Sequence, residues 1–373
     1  MQKNYTSLGL MSGTSGDGVD ASIINSNGID HFEVIQDKYF EYDSPIYNAI
    51  HSLKKKIYSL DDLKRLSKEI REIERKITLF HAKIMKDFNL SKNEPDLVGF
   101  HGQTIYHNSK ERTSIQLGDG KLLNQLTKKR IIFNFREKDL LNGGEGAPLT
   151  PLFHQLIVTQ QKIDLPTGIL NIGGIANITL IKKPVGSMEF YSKDVGPGNC
   201  LIDEWVRNNC KQKYDIEGEL ASLGNVNEII FEQAQELYSN RKNKEKISYD
   251  INDFDISFSR GLSLEDGAAT LTKFTANIIG ETISLFLKKE FLIKNILICG
   301  GGRKNKVLLK NIAKYFNSKI NIRLIDDYGL DGDFIESQAF AFLAIRSYKK
   351  LPISFPNTTN CKSPSLGGEL VEN

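Results

Sequence analysis

The residues best suited to chemistry lie in a glycine-rich turn within LGLMSGTSGDGVDASIIN, residues 8–25. Glycine lacks a Cβ atom and tolerates positive φ, so the backbone N–H groups of this turn can approach a ligand closely. Hydroxyls add donors, and the carboxylates of Asp17 and Asp20 suit Mg²⁺ held through water. Asp17 is the predicted metal residue, and Glu336, alone or together with Asp17, is the alternative. The pattern predicts a phosphate-binding β-hairpin, and a turn that binds nothing is the alternative. The predicted phosphate-binding residues are Gly13, Thr14, Ser15, Gly16, Asp17, Gly18, Val19 and Asp20.

The residues after this turn exclude two better-known phosphate loops. A GxxxxGK[ST] loop requires a lysine and a following helix, and a dinucleotide GxGxxG also opens a helix. Here the continuation through Val19, Ala21 and Ile23 has the alternation of a strand.

Two further glycine clusters support a nucleotide-binding interpretation. GILNIGGIANITLIK, residues 168–182, is again an apolar run, a glycine turn and an apolar run, and this internal repeat predicts two related domains. A third cluster follows the apolar run 296–299 and precedes a helical pattern, which is typical of a strand-to-helix turn beside adenine or ribose. The predicted nucleotide-binding residues of the two clusters are Gly173, Gly174, Asn177, Gly300, Gly301, Gly302 and Asn305.

The composition and net charge of the chain narrow the classes of partner that it is expected to bind. The 373 residues suggest two domains, and a net charge of +3 is too balanced to require nucleic acid or an anionic membrane. No run approaches the ~20 apolar residues of a membrane span, and no signal peptide is predicted. The four cysteines lack the spacing of a metal site, so reduced thiols in a cytoplasmic protein are expected. The oligomeric state is left open, with a homodimer as one alternative.

A coarse pass along the chain predicts alternating strands and helices. An amphipathic helix is expected over 63–77 and a long helix over 268–291, with short strands at 97–100, 131–135 and 322–325. The predicted domains are residues 1–165 and 166–349. The proline-rich tail, 350–373, is expected either to pack back on the first domain as a strap or to fray.

Polar residues follow two of these strands. FHGQTIYH is predicted to form a loop that presents His101, Gln103 and Thr104 as a sugar site would, although a structural histidine is the alternative. Beyond 131–135, Arg136 either binds a substrate carboxylate or pairs with Asp139. The glycines at 143–146 favour a functional loop.

Two acidic residues have candidate roles near helix starts. Asp194 precedes the rigid turn 196–199 and is predicted to accept a proton beside a phosphate site, with a helix N-cap as the alternative. Glu336 lies at the head of a helical stretch, where the helix dipole favours an acid whatever its function.

Taken together, GLMSGTSGDGVD, FHGQTIYH, FREKDLLNGGEGAPLTPLFH, NIGGIANIT, DVGPGN, ICGGGRKN and GLDGDFIESQAFAFLA closely resemble the bacterial anhydro-N-acetylmuramic acid kinases. The motifs cover residues 9–346. The resemblance implies the two-lobed α/β fold of actin-like (ribonuclease H-like) ATPases, shared with sugar kinases and Hsp70, with an ATP cleft between the lobes. Gly16 and Val195 depart from the family pattern, which usually has a larger apolar residue and a threonine there.

The resemblance also implies a reaction. Water opens the 1,6-anhydro bridge of the sugar as O6 takes the γ-phosphoryl group of ATP, giving N-acetylmuramic acid 6-phosphate and ADP in cell-wall recycling. Asp194 matches the general base, and ATP and Mg²⁺ are the implied cofactors. The substrate-binding residues expected from the motifs are His101, Gln103, Thr104, Arg136, Asp139, Gly196, Asn199 and Glu336.

Two other functions are compatible with the same residues. An ordinary sugar kinase would also use an aspartate base but would phosphorylate a hydroxyl without hydrolysis. A nucleotide-gated binding protein, such as a chaperone ATPase or a filament subunit, is the second. Fewer than thirty residues follow Arg346, which leaves no room there for a peptide-binding domain.

Overall fold

The structure is a computed structural model that describes residues 3–88, 94–239, 249–290, 293–316 and 320–372. The chain forms two compact units. Unit 1 comprises Met1–Lys162, Pro184–Phe190 and Phe334–Asn373, and unit 2 comprises Ile163–Lys183 and Tyr191–Asp333. Residues 334–349 therefore belong to unit 1, whereas the sequence-based division assigns them to the second domain.

The described residues contain twelve strands and thirteen α-helices. The strands are β1 Tyr5–Ser12, β2 Gly18–Ser26, β3 Phe32–Glu41, β4 Leu97–Asn108, β5 Thr113–Leu117, β6 Ile131–Phe133, β7 Thr167–Ile172, β8 Ile175–Ile181, β9 Phe190–Pro197, β10 Asn295–Cys299, β11 Asn321–Leu324 and β12 Glu369–Val371. The helices are α1 Ser44–Lys54, α2 Leu60–Arg65, α3 Ser67–Asp87, α4 Gly120–Thr127, α5 Glu137–Leu141, α6 Pro151–Gln160, α7 Cys200–Asn209, α8 Glu219–Leu223, α9 Glu228–Ser239, α10 Leu264–Glu290, α11 Lys306–Ala313, α12 Ile335–Tyr348 and α13 Pro356–Thr359.

The sheet of unit 1 is mixed. Its order in the described chain is β12-β6-β4-β1-β2-β3, with β5 paired to β4. β1 is antiparallel to β2 and parallel to β4, which is in turn parallel to β6. Strand β1 lies between β4 and β2 and is buried on both faces. Its sequence is therefore an apolar run that includes Leu8 and Leu10, without a strict alternation of apolar and polar residues.

The sheet of unit 2 repeats this plan. Its order in the described residues is β11-β10-β7-β8-β9, with β7 antiparallel to β8 and parallel to β10. In each unit the chain thus makes a glycine hairpin first and then adds parallel strands on the other side of the hairpin's first strand. The predicted α/β class with two units of related plan is confirmed.

Helix α12 explains why residues 334–349 belong to unit 1. It is buried along nearly its whole length and packs against β1, β2 and β4. The approach is close because the strands carry glycine at the contacts. A Cβ atom at Gly9 would lie 1.9 Å from the Ser337 carbonyl oxygen, and one at Gly99 would lie 2.3 Å from that of Phe340.

Several predicted elements have different bounds in the structure. The helix predicted over 63–77 is divided into α2 and α3, and the strand predicted over 131–135 ends at Phe133. The predicted strands at 97–100 and 322–325 correspond to β4 and β11, and the helix predicted over 268–291 to α10; residue 291 lies outside the described residues. The prediction that a loop carries His101 and Gln103 is wrong, because β5 pairs with this segment and extends β4 to Asn108.

The tail forms a strap on unit 1. Within residues 351–372, called the C-terminal strap below, β12 pairs antiparallel with β6, and Ser354 bridges to Ser365. Among the described helices, none combines the length and apolarity that crossing a membrane requires.

Two buried histidines predict acid sensitivity of unit 1. Burial lowers the pKa of His81 to about 4 and that of His154 to about 3, from 6.5. Between pH 6.5 and 4 the unfolded chain therefore binds protons that the folded chain does not, so the free energy of unfolding falls as the pH falls. For His81 alone the full loss is about 3 kcal/mol. Urea unfolding at pH 7.5 and pH 5 should show lower stability at pH 5 in the wild type and a smaller drop in His81→Gln; equal drops would contradict this.

Candidate nucleotide and sugar site

The first glycine hairpin joins β1 to β2 in unit 1. The Gly16 N–H donates to the Gly13 carbonyl at 3.1 Å, and Gly16 has φ +69°, a left-handed conformation that glycine adopts without strain. The structure thereby gives a local reason for glycine at a position that departs from the family pattern. The Val19 side chain is fully buried and anchors the hairpin in the core, so the predicted phosphate contact of Val19 is one made by its backbone.

A buried hydrogen-bond network supports this hairpin from below. The Gln103 amide donates to the Gly13 carbonyl at 3.0 Å and its oxygen accepts from the Ser12 hydroxyl at 2.7 Å. The Tyr42 hydroxyl donates to Ser12 at 3.1 Å, and the Lys54 ammonium donates to the Thr14 carbonyl at 2.7 Å. Gln103 is fully buried, so the structure places it beneath the phosphate hairpin rather than on a sugar-binding loop.

This placement yields a prediction for Gln103→Leu. Removing the amide deletes one of the two hydrogen bonds that the Gly13 carbonyl accepts and leaves the buried Ser12 hydroxyl donating to the Gly18 carbonyl at 2.9 Å, at a cost of about 1 kcal/mol. We expect the KM for ATP to rise about tenfold while the KM for the sugar stays within twofold. Steady-state kinetics with each substrate varied in turn measures both, and a change in the sugar KM alone would contradict it.

In unit 2 the second glycine hairpin is bonded to the turn at 196–199. The Gly198 N–H donates to the Gly174 carbonyl at 2.9 Å, and the Asn199 N–H donates to the Gly173 carbonyl at 2.8 Å. A Cβ atom at Gly198 would lie 2.0 Å from the Gly173 oxygen, which explains the glycine. Hairpin and turn therefore form one structural element, and the side-chain oxygen of Asn177 beside it is buried without a partner.

Asp194 lies in β9, immediately before this turn. Its side chain is 5% exposed, and its Oδ2 atom accepts the Tyr249 N–H at 2.7 Å. Burial and the nearby Asp194 charge raise the pKa of the Tyr249 hydroxyl. The N-cap alternative for Asp194 is wrong, because α7 begins at Cys200 with Asn199 as its N-cap.

The third glycine cluster is held by a buried arginine that sequence reasoning missed. Arg303 donates to Asp326 at 2.8 Å, to Asp331 at 3.1 Å and to Asp333. These ion pairs connect the glycine loop to the segment before α12, and they raise the pKa of Arg303. Asn305 caps α11 by accepting the Leu308 N–H at 2.9 Å, which gives it a structural role beside the predicted nucleotide contact.

In each glycine cluster there is one position at which the fold itself does not require glycine. The nearest heavy atom to an added Cβ lies 3.9 Å away at Gly13, 3.6 Å at Gly173 and 3.9 Å at Gly301. Their φ angles also lie outside the left-handed region. A Cβ atom would fit within the protein at these three positions. The absence of a side chain there therefore leaves open space beside the backbone. Such space suits an approaching phosphate or nucleoside.

The donor set fits a magnesium ion held through water. The Oδ1 atom of Asp17 is buried and has no protein partner. Across the described residues, no group of three or more histidine, cysteine or acidic side chains is arranged to hold a metal ion directly. Mg²⁺ at phosphate sites commonly keeps several waters and uses one or two carboxylates.

His101 and Arg136 form a hydrogen-bonded pair in unit 1. His101 is the extra residue where the β1–β4 register shifts between Leu10 and Met11. Its Nδ1 atom bonds the Gly102 carbonyl at 2.8 Å, so this nitrogen carries the proton and Nε2 accepts from Arg136 at 2.9 Å. Burial and the Arg136 charge lower the pKa of His101, which makes it a neutral acceptor that orients the guanidinium.

The remaining predicted sugar residues differ in exposure. Asp139 is fully buried and accepts hydrogen bonds from Gly146, Ser354 and Thr359. It lies beneath the glycine loop, and within the described chain its carboxylate is not the ion-pair partner of Arg136. The partly buried Thr104 hydroxyl accepts from Gln116 at 3.2 Å, and Glu336 lies partly buried in the first turn of α12.

The geometry coincides with a full-length family match. The family model for anhydro-N-acetylmuramic acid kinase matches residues 5–372. The chain belongs to this family. It is 55% identical to the anhydro-N-acetylmuramic acid kinase of Pelagibacter ubique over 100% of both chains, and 36% identical to that of Zymomonas mobilis, with 97% and 98% covered.

Family membership confirms the resemblance drawn from the motifs. Among solved structures, the chain is similar to (R)-2-hydroxyglutaryl-CoA dehydratase component A of Acidaminococcus fermentans at a TM-score of 0.45 and 11% identity, covering 92% of this chain and 99% of that one. This similarity is too weak to add to what the two sheets show about the fold.

Proposed function

We propose that this protein is an ATP-dependent kinase that opens 1,6-anhydro-N-acetylmuramic acid with water and phosphorylates its O6, in cell-wall recycling. The products are N-acetylmuramic acid 6-phosphate and ADP. The observation that supports this most strongly is the buried Asp194, fixed by the Tyr249 N–H and followed at once by a turn bonded to a glycine hairpin. A carboxylate held in this way is suited to take a proton beside a phosphate-binding backbone.

The nucleotide is assigned to the three glycine clusters. The N–H groups around Gly13 and Gly173 bind the phosphates, and the loop at Gly301 contacts the nucleoside. The space above these three glycines supports the assignment. Asp17 is the residue that would hold Mg²⁺ through water, and a bound Mg²⁺ supplies charge neutralisation for the phosphates.

The atoms and protons of the proposed reaction balance with Asp194 as its one base. Asp194 takes a proton from water as the water oxygen bonds to C1, and the C1–O6 bond breaks. O6 bonds to the γ-phosphorus, and the bond between that phosphorus and the β–γ bridging oxygen breaks to release ADP. Phosphoryl transfer requires mainly positioning and charge stabilisation, which the hairpin N–H groups provide.

The proposed sugar contacts begin with a hydrogen-bonded pair in unit 1. Arg136, oriented by His101, suits the carboxylate of the substrate because a guanidinium binds carboxylates in a fixed geometry. The proposed sugar contacts are completed by Thr104, Gly196, Asn199 and Glu336. Gln103 supports the phosphate hairpin, and Asp139 supports the glycine loop at 142–146.

A cytoplasmic setting accompanies this function. All four cysteines are free thiols, which suits a reducing compartment where ATP is available. A homodimer stays a prediction.

A coupled assay of ADP release tests the proposal. The sugars offered are 1,6-anhydro-N-acetylmuramic acid, N-acetylmuramic acid, N-acetylglucosamine and glucose. We expect turnover with the anhydro sugar and at least about a hundredfold less with the others. ADP release that needs no sugar would instead indicate the nucleotide-gated binding protein, and a preference for open sugars would indicate an ordinary kinase.

A further inference from the structure

We propose that the C-terminal strap is part of the sugar site, because its Ser354 and Thr359 hydroxyls fix the carboxylate that shapes the glycine loop at 142–146. Asp139 and the two hydroxyls are positioning residues that act through the loop and Arg136. The inference rests on the proposed function only in naming the sugar as the ligand of this loop.

The Asp139 carboxylate is the centre of the arrangement. Its Oδ1 atom accepts the Thr359 hydroxyl at 2.6 Å and also the Ser354 hydroxyl, while Oδ2 accepts the Gly146 N–H at 2.7 Å. A fully buried charge is tolerated only when donors satisfy it. Two of these three donors come from the strap, more than 200 residues away in the chain.

The glycine loop is built around this carboxylate. A Cβ atom at Gly144 would lie 2.2 Å from Oδ2, so a larger residue would displace it. Gly146 has φ +74°, and its carbonyl accepts from Arg136 Nη1 at 2.7 Å. Movement of the carboxylate would therefore shift both the loop and the guanidinium assigned to the substrate.

The strap backbone binds the same loop directly. The Glu145 N–H donates to the Thr359 carbonyl at 2.7 Å, and the Lys362 N–H donates to the Asn142 carbonyl at 3.1 Å. The Asn142 amide donates to the Ser363 carbonyl at 2.7 Å. The strap thus contacts the loop at both of its ends, which makes it a wall of the site rather than a covering of the core alone.

The test compares two neighbouring threonines of the strap. Thr359→Val removes a donor to Asp139. Thr358→Val is the matched control, because Thr358 is equally buried but its hydroxyl donates to the Phe355 carbonyl within the strap, at 3.0 Å. Ser354→Ala is a second variant that removes a donor to Asp139. Each full-length variant is assayed with sugar and ATP varied in turn.

We expect Thr359→Val and Ser354→Ala each to raise the KM for the anhydro sugar about tenfold, with the KM for ATP within twofold. Thr358→Val should leave both KM values within twofold. A purely structural role would lower the melting temperature or the active fraction and leave both KM values unchanged, and that result would overturn the inference.

Hydrogen exchange makes the test independent of activity. In Thr359→Val, amides of the peptide spanning 142–147 should exchange at least about fivefold faster than in wild type, and in Thr358→Val at the wild-type rate. Unchanged exchange in Thr359→Val would overturn the inference even if no sugar were turned over. Faster exchange in a protein inactive on the anhydro sugar would support the strap's role while rejecting the proposed substrate.

Discussion

Asp194→Asn is expected to lower sugar-dependent ADP release by about a thousandfold, within the range of general-base contributions. The amide has the shape of the carboxylate, and its oxygen can still accept the Tyr249 N–H, but it cannot take a proton from water. The dissociation constant of an ATP analogue should therefore change by less than twofold. Steady-state kinetics and calorimetry measure the two quantities.

Asp203→Asn, at a partly buried acid, provides a control for the same chemical change. Asp203 is the next acid along the chain, in the first turn of α7, and has no assigned part in the reaction. Its variant should keep at least half of the wild-type turnover. Wild-type turnover by Asp194→Asn would remove the base from the mechanism, and loss of nucleotide binding would indicate that Asp194 supports the hairpin instead.

Gly13→Ala, Gly173→Ala and Gly301→Ala are expected to weaken ATP binding without destabilising the protein. An added methyl group meets no protein atom closer than 3.6 Å at any of the three positions. Gly→Ala at a compatible φ typically stabilises by about 0.4–1 kcal/mol. The methyl group would occupy space assigned to the nucleotide, so we expect the dissociation constant to rise at least about tenfold, which is about 1.4 kcal/mol.

Gly302→Ala gives the opposite pattern and serves as the control. Its Cβ would lie 2.2 Å from the Ile172 side chain, so the substitution should lower the melting temperature by several degrees. Thermal unfolding and calorimetry on the four variants separate glycines required by the ligand from those required by packing. Normal ATP affinity in all three open-space variants would contradict the nucleotide assignment.

The hairpins were predictable because glycine turns flanked by apolar runs encode them locally. The role of Gln103 was not predictable in this way. The sequence does not show whether a polar residue after a strand faces a ligand or supports a neighbouring turn from the core side. Extension of β4 by β5 decides between the two. Asp139 is a stronger example: its partners, Ser354 and Thr359, are distant in sequence and carry no signal of their own.

Arg303 shows that some missed structure did leave a signal. It follows the three glycines directly, and four acids lie within 326–333, three of which pair with Arg303, so a buried ion-pair network was a reasonable expectation from charge alone. Lys54 left none, because its bond to the Thr14 carbonyl depends on where α1 packs. Local chemistry is readable from the sequence, whereas the support beneath it depends on tertiary packing.

The origin of the product's C1 oxygen tests the central claim most directly. The reaction is run with the anhydro sugar and ATP in ¹⁸O-labelled water, and the sugar phosphate is analysed by mass spectrometry after a short incubation. Hydrolytic opening predicts one ¹⁸O atom at C1 and none in the phosphate group. Product without label at C1, or label in the phosphate, would contradict the account.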